Sequence, residues 1–422
     1  MTAVTTSGQF ASFRTLAIAV FLVTLLLIAG ASAKPIPITG PTVITSPGQY
    51  YIAAGVTNST APVYIEVQAS NVYIDGKGKV IDGSDSANSI GIKIYNSAMS
   101  LVNVVVKNVV LNDWGTGLWL NDVKNSLIDK VTVTSCPGNG VLLQNSIGNT
   151  IQNSVLEKNE MSGIILYSGS NSNTVQGVTS QDNMIDGIRI RFSNNNIVQN
   201  SKLLNNRGDG LNFNEQAHYN TVIKNTITGN NGHGIELYES GNNQITQNTI
   251  RDNKNGIYVN SNCFNNEISK NTLSGNDFNG LVLLHSATDN VVFGNIVDTN
   301  GEAGLWLFDN NHNVLYDNKI RNNVNEGLWI RDSAENVFFN NYFYNTNNTR
   351  FITPSKNTWN LTVSEQKSIT GGKYSGGNSW GQPDGQGFSQ ITPESNLNGI
   401  CDGRFVMAAN NIDRVPLKYK IV

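Results

Sequence analysis

Charged residues are scarce in this chain of 422 residues: they make up 14% of it, and the formal net charge is −3. A weakly acidic chain with few cations has no basic surface that could attract nucleic acid, and we therefore exclude nucleic-acid binding. Cysteine is scarce too, since only Cys136, Cys263 and Cys401 are present, far apart and odd in number. They cannot form a disulfide framework, and the fold must be stabilised in another way.

Long apolar runs are missing except near the N-terminus. Residues 1–33 contain Arg14 as their only charge, an apolar run over 16–29 and the small residues of Ala31-Ser32-Ala33. This order is typical of an export signal, and the run is short for a membrane span, which needs about 20 residues. We predict a signal peptide over 1–33, with an uncleaved anchor as the alternative. The mature chain is expected to be secreted or at the cell surface, without a stable membrane span.

Glycine is abundant and periodic. A motif of one small or polar residue, glycine and an apolar-x-apolar triplet recurs, for example as DGLNF, HGIEL and AGLWL. Alternation of this kind is a strand signal, and three such runs per repeat, separated by Gly and Asn, predict three strands and three turns. The motif glycines are Gly91, Gly117, Gly140, Gly163, Gly187, Gly210, Gly234, Gly256, Gly280, Gly304 and Gly327.

Asparagines recur at two further positions of each repeat. One set is Asn125, Asn149, Asn173, Asn195, Asn220, Asn243, Asn266, Asn290, Asn313 and Asn336, and the other is Asn200, Asn225, Asn248, Asn271, Asn295, Asn318 and Asn341. Coils that stack about 4.8 Å apart would align these residues, so that each amide bonds its copies above and below. We therefore predict an all-β, single-stranded right-handed parallel β-helix of about 11 coils of 22–24 residues, with asparagine ladders.

The repeat and the opening segment ASNVYIDGKGKVIDG (69–83) resemble the NosD and CASH (carbohydrate-binding and sugar-hydrolysis) families of β-helix proteins, in the form found in archaeal surface proteins. The resemblance covers residues 63–350 and implies the fold, although this fold hosts many activities. Residues 34–62 are expected to form an N-terminal cap, because an open coil exposes strand edges. Residues 356–422 lack the asparagine period, and we predict a small C-terminal module there.

Outward-facing residues of the glycine strand are the first candidates for a function. Side chains alternate along a strand, so the residues two and four positions after the glycine must face outward. In the middle coils these include Arg189, Arg191, Glu236 and Tyr238, and the edge of this face carries Asp186, Asp209 and His233. An arginine guanidinium can bind a carboxylate with two hydrogen bonds, and Tyr or His could move a proton at C5 of a uronate. These residues are therefore candidate catalytic residues of a lyase or epimerase. The alternative is a solvated face with cross-strand ion pairs.

Later coils present aromatic residues at the same outward positions. Tyr258, Trp306, Phe308 and Trp329, together with Asn212, are candidates for carbohydrate binding, because flat aromatic faces stack on sugar rings. The alternative is a covered patch, beneath the tail or a second subunit. That alternative arises because apolar residues share these positions, namely Leu142, Ile165, Val282 and Leu284.

Histidine chemistry is not supported by the sequence. Gly232-His233-Gly234 also occurs in pectin hydrolases of the β-helix class, but their Asp-Asp pair is absent here and Arg189-Ile190-Arg191 precedes His233. Glycoside hydrolysis needs paired carboxylates, so we interpret His233 as a turn residue. The NosD resemblance implies copper handling, but the four histidines fall in separate coils, whereas soft-metal sites need clustered ligands.

The tail contains one candidate metal site. ESNLNGICD, residues 394–402, is similar to the D-x-N-x-D-G-I-x-D calcium loop, with oxygen ligands at alternate positions around a glycine turn. Its candidate ligands are Glu394, Asn396, Asn398 and Asp402. Only two of these are charged, so weak binding is expected, and a plain loop is the alternative. No required cofactor is predicted.

These observations favour an exported, non-catalytic protein that binds polysaccharide, or forms part of the cell envelope, along an exposed sheet. The expected partner is a polysaccharide or cell-envelope glycan. A polysaccharide lyase or uronate epimerase that acts on an acidic glycan is the first alternative. The second is a structural surface protein with an assembly interface on its aromatic column.

Overall fold

The computed structural model describes residues 34–421, and in these residues the chain forms a parallel β-solenoid with almost no helix. The strands that carry the glycine motif stack into a 14-stranded parallel sheet, which we call the glycine sheet. The predicted parallel β-helix is therefore confirmed. The strands of the glycine sheet are Thr42–Ile44, Val63–Val67, Ile90–Ile94, Thr116–Asn121, Val141–Gln144, Ile164–Tyr167, Ile188–Arg191, Leu211–Asn214, Ile235–Tyr238, Ile257–Asn260, Leu281–Leu284, Leu305–Phe308, Leu328–Arg331 and Thr349–Ile352.

A second parallel sheet, of 24 strands, closes the rest of the solenoid. Strand Leu127–Thr134 pairs with both Thr150–Gln152 and Val155–Glu157, so later coils contribute two short strands each to this sheet. Its strands are Ile36–Ile38, Gly48–Ile52, Val72–Asp82, Val105–Asn112, Leu127–Thr134, Thr150–Gln152, Val155–Glu157, Thr174–Gln176, Thr179–Gln181, Ile197–Gln199, Lys202–Leu204, Thr221–Ile223, Thr226–Thr228, Gln244–Thr246, Thr249–Arg251, Glu267–Ser269, Thr272–Ser274, Val291–Phe293, Ile296–Asp298, Val314–Tyr316, Lys319–Arg321, Val337–Phe339, Tyr342–Tyr344 and Ser379–Gly381.

The solenoid has about 14 turns, three more than the predicted 11. The additional glycine-sheet strands are Thr42–Ile44, Val63–Val67 and Thr349–Ile352, which lie at the two ends and lack the glycine motif. Within the motif, glycine is required because coils approach closely. A Cβ atom on Gly234 would lie 2.6 Å from the carbonyl oxygen of Gly256 and 2.3 Å from Cγ2 of Ile250. In the terminal coils Tyr64 and Asn348 occupy the position of the motif glycine, so the motif count missed these coils.

Three ladders of buried asparagines run along the solenoid. At Asn220, for example, the backbone N–H and Nδ2 both donate to Oδ1 of Asn243, at 2.8 and 3.2 Å. The first ladder is Asn149, Asn173, Asn196, Asn220, Asn243, Asn266, Asn290, Asn313, Asn336 and Asn357. The second is Asn225, Asn248, Asn271, Asn295, Asn318, Asn341 and Asn378. The third is Asn159, Asn183, Asn206, Asn230, Asn253, Asn276, Asn300, Asn323 and Asn345.

Three predicted ladder members were wrong by one position. Asn125, Asn195 and Asn200 have φ values of 50°, 59° and 50°, in the left-handed region that asparagine tolerates. They form the turn, and the residue after each one takes the ladder position. Two of these following residues are serines: Ser126 donates its N–H to Asn149, and Ser201 donates its N–H to Asn225.

Strands of the same kind extend into both terminal segments. Ile36–Ile38 pairs in parallel with Gly48–Ile52, and Ser379–Gly381 pairs in parallel with Tyr342–Tyr344. The other described elements are the parallel pair Leu101–Val102 and Val123–Lys124, the antiparallel pair Phe405–Ala408 and Asn411–Asp413, and the helix Phe388–Ile391. The domain boundaries 34–62, 63–350 and 356–422 stay predictions. The predicted signal, 1–33, lies outside the described residues.

Residues 34–421 contain no helix that is long and apolar enough to cross a membrane.

Candidate functional site

One continuous column of side chains runs along the outer face of the glycine sheet, and we call it the outer column. Each member pairs in register with the member of the next coil. In order, they are Val43, Glu66, Lys93, Trp119, Leu142, Ile165, Arg189, Asn212, Glu236, Tyr258, Val282, Trp306, Trp329 and Arg350. Polar and charged residues occupy its middle, and aromatic residues lie towards both ends.

A second column lies at the turn before each motif glycine. Asn255 Oδ1 accepts the backbone N–H of Asn279 at 2.9 Å, so amides form a ladder here as well. In earlier coils Asp186 and Asp209 take this position and accept the N–H groups of Asp209 and His233, at 2.9 and 2.6 Å. A carboxylate has a second acceptor where an amide has a donor. Each aspartate therefore keeps one oxygen for a partner outside the ladder.

These remaining oxygens bind residues of the outer column. Arg189 Nε donates to Asp186 Oδ2 at 2.7 Å. Asn212 Nδ2 donates to Asp209 Oδ2 and to Glu236 Oε2, at 2.7 Å in both cases. Successive coils thus bring together a set that we call the ionisable cluster: Asp186, Arg189, Asp209, Asn212, His233, Glu236 and Tyr258.

Burial raises the pKa values of two acids in the ionisable cluster. Burial, followed by the neighbouring Asp209 carboxylate, raises the pKa of Glu236 from 4.5 to about 8. Burial also raises the pKa of Asp186 from 3.8 to about 6, although the Arg189 guanidinium acts in the opposite direction. Glu236 is therefore mostly protonated at pH 7, and it stands beside Asp209 as a hydrogen-bond donor.

His233 stacks on Tyr258, with ring centroids 4.2 Å apart and planes inclined by 3°. Its Nδ1 atom lies 3.2 Å from Nδ2 of Asn255. Burial lowers the pKa of His233, so the imidazole is neutral at pH 7. Burial, followed by the Glu236 carboxyl, raises the pKa of Tyr258. His233 occupies the predicted turn position, and the neighbouring coils also bring it into the ionisable cluster.

Buried polar atoms without a hydrogen-bond partner are concentrated on this face. Of seven such side-chain atoms in the described residues, six belong to the outward residues of the glycine sheet: Trp119 Nε1, Arg191 Nε, Asn212 Oδ1, Asn214 Oδ1, Trp306 Nε1 and Trp329 Nε1. Buried polar atoms are normally paired in folded proteins. Their concentration here distinguishes the outer face from the rest of the solenoid.

Of the four predicted catalytic residues, the ionisable cluster contains Arg189 and Glu236. Arg191 and Tyr238 lie in the adjacent column, where both pair in register with Asn214. Arg191 Nη2 donates to both carboxyl oxygens of Glu215, at 2.8 and 2.9 Å. The charge of Glu239 is the main cause of a raised pKa at Tyr238. Asn212, predicted to contact sugar, is only 4% exposed and holds the two carboxyl groups together.

The predicted aromatic residues stack on one another along the solenoid. Trp306 and Trp329 have ring centroids 5.0 Å apart, and the Arg350 guanidinium lies 4.8 Å from the ring centroid of Trp329. Phe308 is stacked beside Trp306, and Arg331 covers it at 4.8 Å. All three rings are half-buried. Because the ring faces point along the solenoid axis, their edges face outward, and sugar stacking on the faces stays a prediction that this packing does not favour.

Within residues 34–421, no set of three or more His, Cys, Asp or Glu side chains is placed to hold a metal ion. In the predicted calcium loop, Asp402 accepts hydrogen bonds from the backbone and hydroxyl of Ser395. Glu394 accepts the Gly399 N–H, and Asn398 accepts the Ile400 N–H. These oxygens bond within the loop itself, and calcium binding stays a prediction.

Family comparisons agree with this architecture. Residues 56–190 and 165–295 match the family model of the right-handed β-helix region, which together is more than half of the chain. Residues 277–385 match the model described as periplasmic copper-binding protein (NosD). The predicted handedness and NosD resemblance are confirmed, whereas the archaeal type stays a prediction. The described His and Cys residues do not fit a copper site, because they are not clustered. A comparison with curated proteins found no match.

Solved structures share the fold at low sequence identity. A mutant of the periplasmic alginate epimerase AlgG has a TM-score of 0.51 and 16% identity, over 70% of this chain and 77% of that chain. The A-module of the Azotobacter vinelandii mannuronan C-5 epimerase AlgE4 has a TM-score of 0.50 and 14% identity, over 74% of this chain and 91% of that chain. At these identities the likeness shows the fold alone.

Proposed function

The chain belongs to the right-handed β-helix family, and we propose that it is an exported, non-catalytic protein that binds a polysaccharide along the outer face of its glycine sheet. The observation that carries this proposal is the row of unpaired polar atoms on that face. An unpaired buried donor or acceptor costs about 1–3 kcal/mol. A fold that keeps six of them on one face is organised for a ligand that can pair with them.

A polysaccharide has the matching chemistry, because each hydroxyl group both donates and accepts a hydrogen bond. Asn212 and Asn214 supply acceptors, whereas Arg191 and the tryptophans supply N–H donors. These atoms are buried, so a hydroxyl can pair with them only after the neighbouring side chains move. From Trp119 to Trp329 the outer column spans nine coil steps, or about 43 Å at about 4.8 Å per step. A long polymer can therefore contact its middle and both ends at once.

The charges on this face favour an acidic sugar. Arg189 is 31% exposed at the side chain, and Glu236 is half-buried and mostly protonated at pH 7. A uronate carboxylate can accept hydrogen bonds from the Arg189 guanidinium and from the protonated Glu236 carboxyl group. Two solved structures with this fold are named as epimerases of alginate and of mannuronan. Export is supported by the predicted signal and by the periplasmic description of the NosD family.

The first experiment is a polysaccharide array, followed by calorimetry with the best binder. We expect binding to an acidic polymer and at least tenfold weaker binding by Glu236→Ala and Asn214→Ala, which corresponds to about 1.4 kcal/mol each. Glu335→Ala is the matched control, because Glu335 is exposed at 67% and pairs with His312 outside the ionisable cluster. If the folded wild-type protein retains no glycan, the proposal is wrong. A self-associated protein without glycan binding would instead support an assembly interface on the aromatic column.

A uronate lyase or epimerase is the second candidate, and the separated pKa values in the ionisable cluster favour it. Glu236 is protonated and His233 is neutral at pH 7, so an acid and a base are both available on one face. Such an enzyme removes the proton at C5 of the uronate. An epimerase returns a proton to the opposite side, whereas a lyase breaks the bond from C4 to its oxygen and leaves a double bond.

Ultraviolet absorbance of unsaturated uronates detects the lyase, and NMR after incubation in deuterated water detects the epimerase. Glu236→Gln should lower either rate by at least about 100-fold, the lower range of general acid–base catalysis. Arg189→Ala should raise KM, because Arg189 would bind the substrate carboxylate. Unchanged turnover in both variants would exclude the ionisable cluster as the catalytic site.

A further inference from the structure

A cleft of about 390 Å³ lies at the C-terminal end of the solenoid. It is bounded by Thr349 of the last glycine-sheet strand, by Trp380 of the last strand of the second sheet, and by the helix Phe388–Ile391. A volume of this size is in the range of small-molecule sites. The cleft is separate from the ionisable cluster, whose residues lie in earlier coils.

Aromatic rings form one wall of this end cleft. The ring centroid of Phe405 is 5.1 Å from that of Trp380 and 5.0 Å from that of Phe388. Phe388 and Phe405 are half-buried, so parts of both rings face the cleft. Unlike the tryptophans of the outer column, these rings are tilted by 45° and 38° to their neighbours, and they do not form a stack along the axis.

Amide groups also line the cleft. Gln382 is fixed, since its Nε2 donates to the carbonyl of Thr346 at 2.8 Å and its backbone N–H donates to Gln390 at 2.9 Å. Asn347 and Gln386 are exposed at the mouth of the cleft. Amide groups supply both donors and acceptors without a net charge. None of the ten residues that line the cleft carries a charged side chain.

We propose that the end cleft binds one uncharged sugar residue, with the aromatic wall against its apolar face and the amides on its hydroxyl groups. A charged ligand is disfavoured, because the lining has no counter-charge with which to replace the lost hydration. Sites that combine a mostly apolar wall with a few convergent polar groups are typical of small-molecule recognition. This site is independent of the polysaccharide binding proposed for the outer column.

Saturation-transfer NMR on the full chain tests this proposal, with glucose as the neutral probe and glucuronate as the charged one. We expect transfer from the aromatic protons to glucose at about 10 mM, well above a Kd of about 1 mM, and at least fivefold less transfer to glucuronate. Gln386→Ala and Asn347→Ala should each weaken glucose binding at least fivefold. Gln49→Ala, an exposed glutamine at the opposite end of the chain, should leave it unchanged.

Other results of the saturation-transfer experiment would contradict glucose binding in the end cleft. Equal transfer to glucose and glucuronate, or transfer to neither sugar, would overturn it. Glu236→Ala should not change glucose binding in the end cleft, so loss of the outer-column function and loss of this site are distinguishable. If Gln386→Ala and Gln49→Ala weaken glucose binding equally, the signal does not come from the cleft, and the proposal is wrong.

Discussion

The raised pKa of Glu236 makes the stability of the protein depend on pH, and Glu236→Gln tests this. The pKa is about 8 in the folded chain and 4.5 in the absence of the fold. Because the folded value is the higher one, the stabilising contribution is fully present below pH 4.5 and is lost as the pH rises through 8. The wild-type protein should therefore lose stability, relative to a variant that does not titrate, between about pH 5 and 9.

The magnitude follows from the same two pKa values. At about 1.4 kcal/mol per pH unit, the interval from 4.5 to about 8 gives an upper bound of about 5 kcal/mol. Glu236 is partly exposed, and solvent screening reduces the effect to about 2 kcal/mol. Glutamine matches the shape of a protonated glutamic acid. It keeps a donor for Asp209 and an acceptor for Asn212, so Glu236→Gln removes the titration and retains the contacts.

The assay is thermal unfolding followed by circular dichroism at pH 5 and at pH 9. The Tm of the wild-type protein should fall by about 4 °C more than the Tm of Glu236→Gln over this range. Asp186 and Asp413 also have pKa values raised to about 6, but they are present in both proteins and cancel in the comparison. Glu335→Gln, at an exposed acid, should follow the wild-type profile. Parallel profiles for wild type and Glu236→Gln would refute a protonated Glu236 at neutral pH.

Three further predictions concern the scaffold, the aromatic column and the tail. Asn243→Ala should lower the free energy of unfolding by about 2–4 kcal/mol in urea titrations, because the backbone N–H of Asn220 loses its acceptor. The control Asn231→Ala, at an exposed turn, should change this free energy by less than about 0.5 kcal/mol. Trp329→Ala should cost about 2 kcal/mol in the same assay through lost stacking, and an unchanged midpoint would contradict the described column. Calorimetry should detect millimolar calcium binding that Asp402→Asn abolishes, and no heat at that concentration would reject the site.

The fold was predictable because one steric rule repeats in the eleven coils that carry the motif glycine. Where coils approach each other closely, the sequence must have glycine, and where amides stack it must have asparagine, so both appear at a fixed period. The prediction failed where the rule does not apply. Terminal coils have other residues at the position of the motif glycine, for example Tyr64 and Asn348. Asn195 and Asn196 are neighbours of the same residue type, and only the backbone shows that Asn195 turns and Asn196 enters the ladder.

The candidate site was only partly predictable, because its members come from different positions in successive coils. Arg189 and Glu236 were found from their outward positions in the strand. Asp209 was placed at the edge and His233 was interpreted as a turn residue, and both descriptions hold for the backbone. An edge or turn position in the sequence does not indicate which side chains of the neighbouring coils lie close to Asp209 and His233. A search for adjacent carboxylates in the sequence could not find Asp209 and Glu236, which meet through one amide nitrogen of Asn212.

The turn position before the motif glycine connects the scaffold with the ionisable cluster. An asparagine at this position satisfies its neighbours on both sides, as Asn255 and Asn279 do. An ionised aspartate cannot donate a hydrogen bond, and burial raises the pKa of Asp186, so Asp186 is expected to stabilise this turn less than an asparagine would. Asparagine is not required at this position, because Thr116, Ser162 and Ala303 also occupy it. What distinguishes Asp186 and Asp209 is that each uses its second oxygen to bind a residue of the outer column. These contacts support the proposal that the ionisable cluster is part of the binding face.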